Sequence, residues 1–564
     1  MCLVEVTPLP TGVATPLRLA SNGPVATPSA PFITGFNLGE TLRPSRSLNL
    51  VFFSAFAHPL EAELNRFASI PDPEFYPRGV EISRRYEVLV KTVDDATPWD
   101  TALHRTATYR LWPDYLDPET LPAKHSQTAV HIAQVDTDVR LRVRVQIIDG
   151  GNINQLRLKP TRITEMLVTQ ESDHDSVEFE IDPAAHTRSV LVEINPPAHD
   201  ADALQDGFLF FANPISEIPP GNLLVLPSGV INENSPYLDE LNRLLITEDS
   251  AYDALYIPSD TLIDGRVDIR KAGFTVAGRG MIIGSRWPFV KAVPKWRLSY
   301  PTWISPDGEE MKPLLSFKTP GSARDTSSHF EGVLVAHPYH FCVGWAYQND
   351  NLKTFGWRFS SDGIHGVHKR GSFMRVNDDA TYINEGSVED CTYWGMVNGA
   401  CLQLGWGLTR DNDTPVHVRR IDVVRGEWDN AVNPGVDGLG APVELPTKKN
   451  ASSNRGVFVG TFRSGQAFTI RNKFFEDVRV DAQVNRLFYF GSRTEEVSYE
   501  NFVFKDIWFA QRPNYLEGVQ NVLEGKVTVG GFIFENFTIG DQQIESLDGF
   551  APLKQRNLRD VTFR

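Results

Sequence analysis

Basic charge, cysteine, long apolar runs and helical periodicity are all scarce in this chain, and each scarcity excludes something. Its 564 residues carry 55 Lys and Arg against 71 Asp and Glu, a formal net charge of -16 at pH 7. A phosphate backbone attracts basic surfaces, so nucleic acid is not the expected partner. An anionic polymer is equally disfavoured unless a local basic groove overrides the total. A neutral polymer is compatible with either sign. The four cysteines, Cys2, Cys342, Cys391 and Cys401, do not make a disulfide framework. Cys391 and Cys401 stand where one β surface would hold both, as a pair or as two buried free thiols, and free thiols are the default. No run approaches the roughly 18 continuous apolar residues of a membrane span, so no membrane contact is expected. The first residues, Met1-Cys2-Leu3-Val4-Glu5-Val6-Thr7-Pro8, have no basic or long apolar stretch of the secretory kind. On sequence the expected location is therefore cytoplasmic. Helical signal is confined to Pro236 to Leu245, read as one short helix that caps the end of a solenoid, where open coils invite edge pairing.

What is present is β-type pattern, within an ordinary globular balance of 41% apolar and 22% charged residues. Residues 1–30 are rich in Pro, Thr, Ala and Gly and read as an extended arm. Residues 31–222 carry short alternating or apolar segments at 48–53, 86–90, 139–145, 177–181, 188–194 and 208–212, which predict a β-sandwich domain. Pro214, Pro219, Pro220 and Gly221 form a plausible linker.

From 223 to 564 the pattern becomes a repeat. An apolar residue, any residue, Asp or Asn, then apolar-any-apolar recurs at Phe475 to Val480, Phe504 to Phe509, Phe534 to Ile539 and Leu558 to Phe563, with the Asp or Asn positions 29, 30 and 24 residues apart. Segments at Val388 to Tyr393 and Val418 to Val423 fit more loosely. A period of this length without helices is a solenoid of β-coils, with Asp or Asn supplying the bends. The fold class is thus all-β: a sandwich followed by a parallel β-helix, right-handed by the general rule for parallel crossovers.

Three aspartates fall within this half, Asp362 in Ser361-Asp362-Gly363-Ile364, and Asp378 and Asp379 in Val376-Asn377-Asp378-Asp379. Their spacing is too long for one helix face and suits adjacent coils. Clustered carboxylates repel, so at least one keeps its proton near neutral pH. A protonated acid beside an ionised base is the equipment for cleaving a glycosidic bond. In the inverting form the pair stands about 6.5–9.5 Å apart to admit water. Coils stack about 4.8 Å apart, so carboxylates one coil apart and offset along the strand reach that range. Taken singly, each Asp would be an ordinary turn residue.

The segment from Trp357 to Trp406 resembles glycoside hydrolase family 49, the dextranase and isopullulanase family. The matching pieces come in family order: Val276 to Gly284, Gly332 to His340 ending in Pro-Tyr-His, Asp362-Gly363-Ile364, Asn377-Asp378-Asp379, and Gln403-Leu404-Gly405-Trp406. Ala212-Asn213-Pro214 precedes the β-helix as the end of the family's sandwich does. The resemblance implies an inverting hydrolase of neutral α-glucans such as dextran or pullulan. Asp378 would be the general acid, and Asp362 and Asp379 would hold and activate water. It implies no metal and no cofactor, a carbohydrate partner, and an exported protein, against the absence of a signal here. A monomer is expected. The chain departs from the family at Thr381 and Tyr382, where a Lys is common, and at His365, where an acid is common. The interval from Asp379 to Trp406 is slightly shorter. These departures touch the sugar-facing surface and leave the three carboxylates intact.

Around them, Trp345, Trp357, Trp394, Trp406 and Trp428 recur. Aromatics in a β-helix pack its core or stack on sugar rings. Trp406 is open between the two; core is the default for the others. Trp357 and Trp406, with Asn377, frame the aspartates and are carried as candidate substrate contacts together with Gln403. His337, His340, His365 and His368 do not have the look of a metal site, which needs three or four converging ligands. His340 and His365 are candidates for bonding a sugar hydroxyl or tuning an Asp. Lys353, Arg358, Lys369, Arg370 and Arg375 read as solvated surface by default. Alternatives remain: a β-helix hydrolase of another, substituted polysaccharide, or a glycan-binding β-helix without catalysis. A pectin-type hydrolase would add a His-Gly and an Arg-x-Lys downstream, absent between Asp379 and Arg425. A lyase would need a basic residue at the sugar C5.

Overall fold

The computed structural model describes residues 76–99, 105–106, 108–112, 129–166, 171–172, 175–183, 188–196, 204, 206–216, 218–286, 313–318, 325–357, 361–395, 399–405, 408, 410–426, 456–460, 467–484, 486–513 and 521–564. The N-terminal arm, the segment at 48–53, Arg358, Trp406 and Trp428 lie outside them.

Two sheets open the described chain. One has five antiparallel strands, in the order Arg105–Thr106, Tyr86–Thr92, Leu141–Ile147, Ser176–Ile181, Glu171–Ser172. The other has six, antiparallel except for its central parallel pair Ala129–Asp136 and Asp206–Asn213, in the order Val80–Ile82, Thr108–Leu111, Ala129–Asp136, Asp206–Asn213, Ser189–Ile194, Leu156–Lys159. Val88, Val90, Val143, Val145, Phe179, Phe208 and Phe210 fill the space between them. The opposite face of the six-stranded sheet is also covered. Ile132, Leu191, Leu209 and Phe211 pack against Leu262, Ile283, Phe355, Trp357, Phe373 and Trp394 of the second half. Burial on both faces explains why Phe208-Leu209-Phe210-Phe211-Ala212 is continuously apolar rather than alternating.

Buried ion pairs pin this junction. Arg279 bonds Asp136 at 2.7 Å and Glu331 at 2.9 Å. Arg425 meets Glu193 at 2.6 Å with both side chains fully enclosed. Such pairs hold one relative placement, because removing either partner strands a buried charge.

From Leu223 the chain winds into a parallel β-helix whose strands form a 26-stranded network and a separate four-stranded sheet of Arg243–Ile246, Arg266–Ile269, Leu315–Phe317 and Val343–Gly344. Its neighbours are parallel except where Ile533–Ile539 meets Gln542–Gln543. Left-handed residues mark one edge of coil after coil: Gly332, Asn351, Gly371, Asp390, Arg420, Asp477, Asp506 and Asn536, with φ between 51° and 82°. Gly, Asn and Asp tolerate this conformation. Arg420 is held there by bonding Asp390 of the preceding coil through Nε and Nη2. Inside, Phe475 stacks on Phe504 at 4.8 Å, Phe504 on Phe534 at 5.0 Å and Phe534 on Phe563 at 5.2 Å. That is the strand spacing itself.

The structure corrects two local readings. In the last repeat Phe563, not Leu558, stacks under Phe534, and Asp560 follows Arg559, the partner of Gly530. Asp560 thus belongs to a second bend column with Asn472 and Asn501, which accounts for its short interval. Residues 236–245 form turns rather than a helix. Pro236 opens them, and Arg243–Ile246 is already a strand paired with Arg266–Ile269. Leu238 still covers the end of the core. Among the described residues there is no α-helix, and no helix is long and apolar enough to cross a membrane. Cys342, Cys391 and Cys401 are buried free thiols.

Candidate active site

The site is built by coil repetition. Hydrogen bonds from Cys342 N–H to Asp362 C=O, from Gly363 N–H to Asp379 C=O and from Ala380 N–H to Ala400 C=O fix the register. Val343, Ile364, Thr381 and Leu402 therefore share one inward position of four successive coils. Two residues earlier, Phe341, Asp362, Asp379 and Ala400 share another. One residue later come Gly344, His365, Tyr382 and Gln403. Two adjacent coils thus repeat Asp-x-x-aromatic, as Asp362 with His365 and Asp379 with Tyr382.

Tyr382 joins the two aspartates. Its hydroxyl lies 2.8 Å from Asp362 Oδ2 and 3.1 Å from Asp379 Oδ2. One phenolic hydrogen cannot serve both oxygens, so the second contact needs a proton on a carboxyl. Burial raises the proton affinity of Asp362 well above the carboxylate norm. Burial, then the charges of Asp378 and Asp362, do the same for Asp379. Burial and the surrounding aspartates also push the Tyr382 phenol well up, so it stays a donor. Two enclosed carboxyls of raised proton affinity with one phenol between them favour a proton kept within the pair. Ala400 N–H donates to Asp379 Oδ1 at 3.0 Å, and the buried Lys369 Nζ donates to the Tyr382 carbonyl at 2.7 Å.

Asp378 is the outer member, half-buried, with its Oδ1 accepting the Asp379 N–H at 2.9 Å. His365 Nε2 stands 3.2 Å from Asp362 Oδ2, off the line a ring N–H needs to donate. Burial and the Lys369 charge hold His365 down to about 3, and burial then His365 do the same for His340. Both rings are neutral at physiological pH.

Three candidate substrate contacts lie behind the site instead of in it. Trp357 is fully buried between His337 and Arg375, in the junction with the sandwich. A stacking platform needs an open face, and Trp357 has none. Asn377, also fully buried, donates from Nδ2 to the Trp357 carbonyl at 2.9 Å, and its N–H donates to Ser361 Oγ at 3.1 Å. It ties the Asp362 turn to the Asp378 turn. Gln403 is enclosed under Tyr382 and donates to the Leu404 carbonyl. His340 and His365 remain at the partly open surface, beside Asp362 in the case of His365. Lys353, Lys369 and Arg375 are buried rather than solvated, because each feeds the packing between coils or the junction; Arg370 is exposed. No group of three or more His, Cys, Asp or Glu among the described residues has a metal-holding arrangement.

Tyr382 was not among the residues the sequence pointed to. The signal was available in the aromatic three residues after each aspartate, once the coil register is known. Replacing Tyr382 with Phe removes a bond that lowers both carboxyls. The acid limb of the kcat/KM profile should then move to higher pH and kcat should fall about tenfold. A limb that stays in place would show that Tyr382 does not hold the base.

No protein-family model matches this chain, and no curated protein matches it. Among solved structures it is similar to Dex49A from Penicillium minioluteum, at 16% identity and a TM-score of 0.57, covering 86% of this chain and 95% of that one. The chain shares its fold with Dex49A. A family 28 exopolygalacturonase from Yersinia enterocolitica aligns over 74% of this chain and 96% of its own, at 8% identity and a TM-score of 0.28, too low to carry a conclusion.

Proposed function

We propose that this protein is an inverting glycoside hydrolase of neutral α-glucans or their oligosaccharides. One observation carries the reading: two buried carboxyls share a single phenol, and a third, more open carboxyl stands beside them on the same turn. In this reading Asp378 protonates the departing glycosidic oxygen. The ionised member of the Asp362–Asp379 pair takes a proton from water as that water attacks the anomeric carbon from the opposite face. Tyr382 keeps the pair aligned and stabilises its one negative charge, while burial and mutual repulsion oppose a second. The fold shared with Dex49A, the family 49 resemblance and the net charge of -16 all support a neutral glycan over a polyanion.

The test is a screen of the purified protein on dextran, pullulan, nigeran, polygalacturonate and oligosaccharides of varied linkage, with Asp378→Asn as control. The expected result is new reducing ends from an α-glucan, none from the variant, and a first product of inverted anomeric form by NMR. Unchanged activity in the variant sinks the mechanism. Turnover of no glycan favours a binding protein on this scaffold.

A further inference from the structure

Trp345 is the one aromatic among the exposed large hydrophobic residues of the described chain, with 49% of its surface open. It sits at φ 56°, inside a turn closed by Ala346 N–H to the Gly344 carbonyl at 3.0 Å. A bulky side chain at the centre of such a positive-φ γ-turn is strained, and glycine or asparagine would relieve it. Core packing alone does not explain a tryptophan there, because about half of the residue is open to solvent. What the turn does is carry the indole next to the carboxyl site. The ring meets His365 edge-on at 6.1 Å, and His365 Nε2 is 3.2 Å from Asp362. Behind it, Phe341 lies nearly parallel to His340 at 3.8 Å and to His365 at 4.4 Å, and His365 in turn packs on Tyr382 at 4.6 Å. The result is a floor of uncharged rings leading from an exposed indole to the reactive carboxyls.

We propose that Trp345 is the stacking platform for a pyranose ring of the substrate next to the bond that is cut. This rests on the reading of the site as a glycoside hydrolase. Pyranose rings present an apolar face of C–H groups that suits an open indole, and their hydroxyl edges would reach the neutral His365 and His340. A neutral floor favours an uncharged sugar over a uronate. The strained turn aims the indole, which core packing alone would not require.

The experiment uses the full chain carrying Asp378→Asn, titrated with dextran, pullulan and nigeran oligosaccharides by calorimetry and tryptophan fluorescence. Trp345→Phe, Trp345→Ala and Trp345→Gly are then added in turn. Trp345→Phe should keep most of the affinity, while Trp345→Ala and Trp345→Gly should bind at least about tenfold more weakly. Trp345→Gly relieves the positive φ and should melt no lower than its parent, which separates lost stacking from lost folding. In the otherwise native enzyme KM should rise with the same series, and kcat should move less. Equal affinities across the series overturn the proposal, as does a shift to a smaller oligomer with affinity unchanged, which would make Trp345 a self-association contact. The hydrolase reading fails separately. If Asp378→Asn still cleaves glycan, the acid assignment falls while the affinity series still decides on Trp345. Binding of none of these sugars sinks both.

Discussion

Asp379→Asn is expected to lose about 10²- to 10⁴-fold in turnover while melting at a higher temperature than the native protein. Asp379 is almost wholly enclosed, and burial and its acidic neighbours raise its proton affinity. The sign follows from proton linkage. Between the ordinary carboxyl value and the raised folded value, the native state binds more protons than the unfolded chain, so stability falls as pH rises through that window. Above it the cost is constant. Asn has nearly the same shape, carries no charge, can still accept from Ala400 N–H and can offer its amide to Tyr382. The melting gap between variant and native protein should therefore widen as pH rises above about 4, the ordinary carboxyl value. Asp378→Asn should lose comparable turnover with a smaller gain, since Asp378 is half-buried and its oxygen caps the Asp379 N–H, a role Asn can keep. Calorimetric scans across pH with matched activity assays check both. An Asp379→Asn protein that melts lower at every pH would mean the buried charge is fully compensated, contrary to the geometry.

The same burial explains which parts of the molecule were legible in the chain. The aspartates could be read because three carboxylates at coil spacing have few structural excuses. The β-helix could be read because Asp477, Asp506 and Asn536 repeat a left-handed bend, and Phe475, Phe504 and Phe534 repeat a stack. The sandwich strands could be read from alternation, as in Leu141–Ile147. What failed was anything that depends on which face of a coil meets the sandwich. Trp357 and Asn377 sit next to the aspartates in sequence, yet both are enclosed behind the aspartate turns, Trp357 on the six-stranded sheet and Asn377 on the Trp357 carbonyl. No local pattern encodes that junction. Trp345 failed in the opposite sense. A tryptophan among apolar coils reads as core, and only the turn at Gly344 to Ala346 brings it outside. Tyr382 was visible only as a departure from a related pattern, because its partner is a residue one coil away.

Gly399→Ala is the second change expected to have a large effect, about 10²-fold in kcat, though it touches no substrate. Gly399 lies one residue before Ala400, whose N–H holds Asp379, and it has φ 83°. A Cβ there would stand 2.1 Å from the carbonyl carbon of Asp378 and 2.5 Å from the nitrogen of Asp379. Both are backbone atoms, so no side-chain rotation relieves the overlap. The positive φ adds strain for any L side chain, about 1–3 kcal/mol. Either the 399–400 segment withdraws, and the bond to Asp379 Oδ1 lengthens, or the Asp378–Asp379 peptide is pushed outward. Each route moves the acid relative to the base, and a displacement near 1 Å is enough to remove about two orders of magnitude in rate. The variant should also lose part of the upward shift of Asp379, because water reaches a loosened carboxyl and desolvation is the main cause of that shift. Its acid limb should therefore fall to lower pH, opposite to the movement expected for Tyr382→Phe. A Gly399→Ala enzyme with native kcat and an unmoved acid limb would show that the carboxyls are positioned from elsewhere.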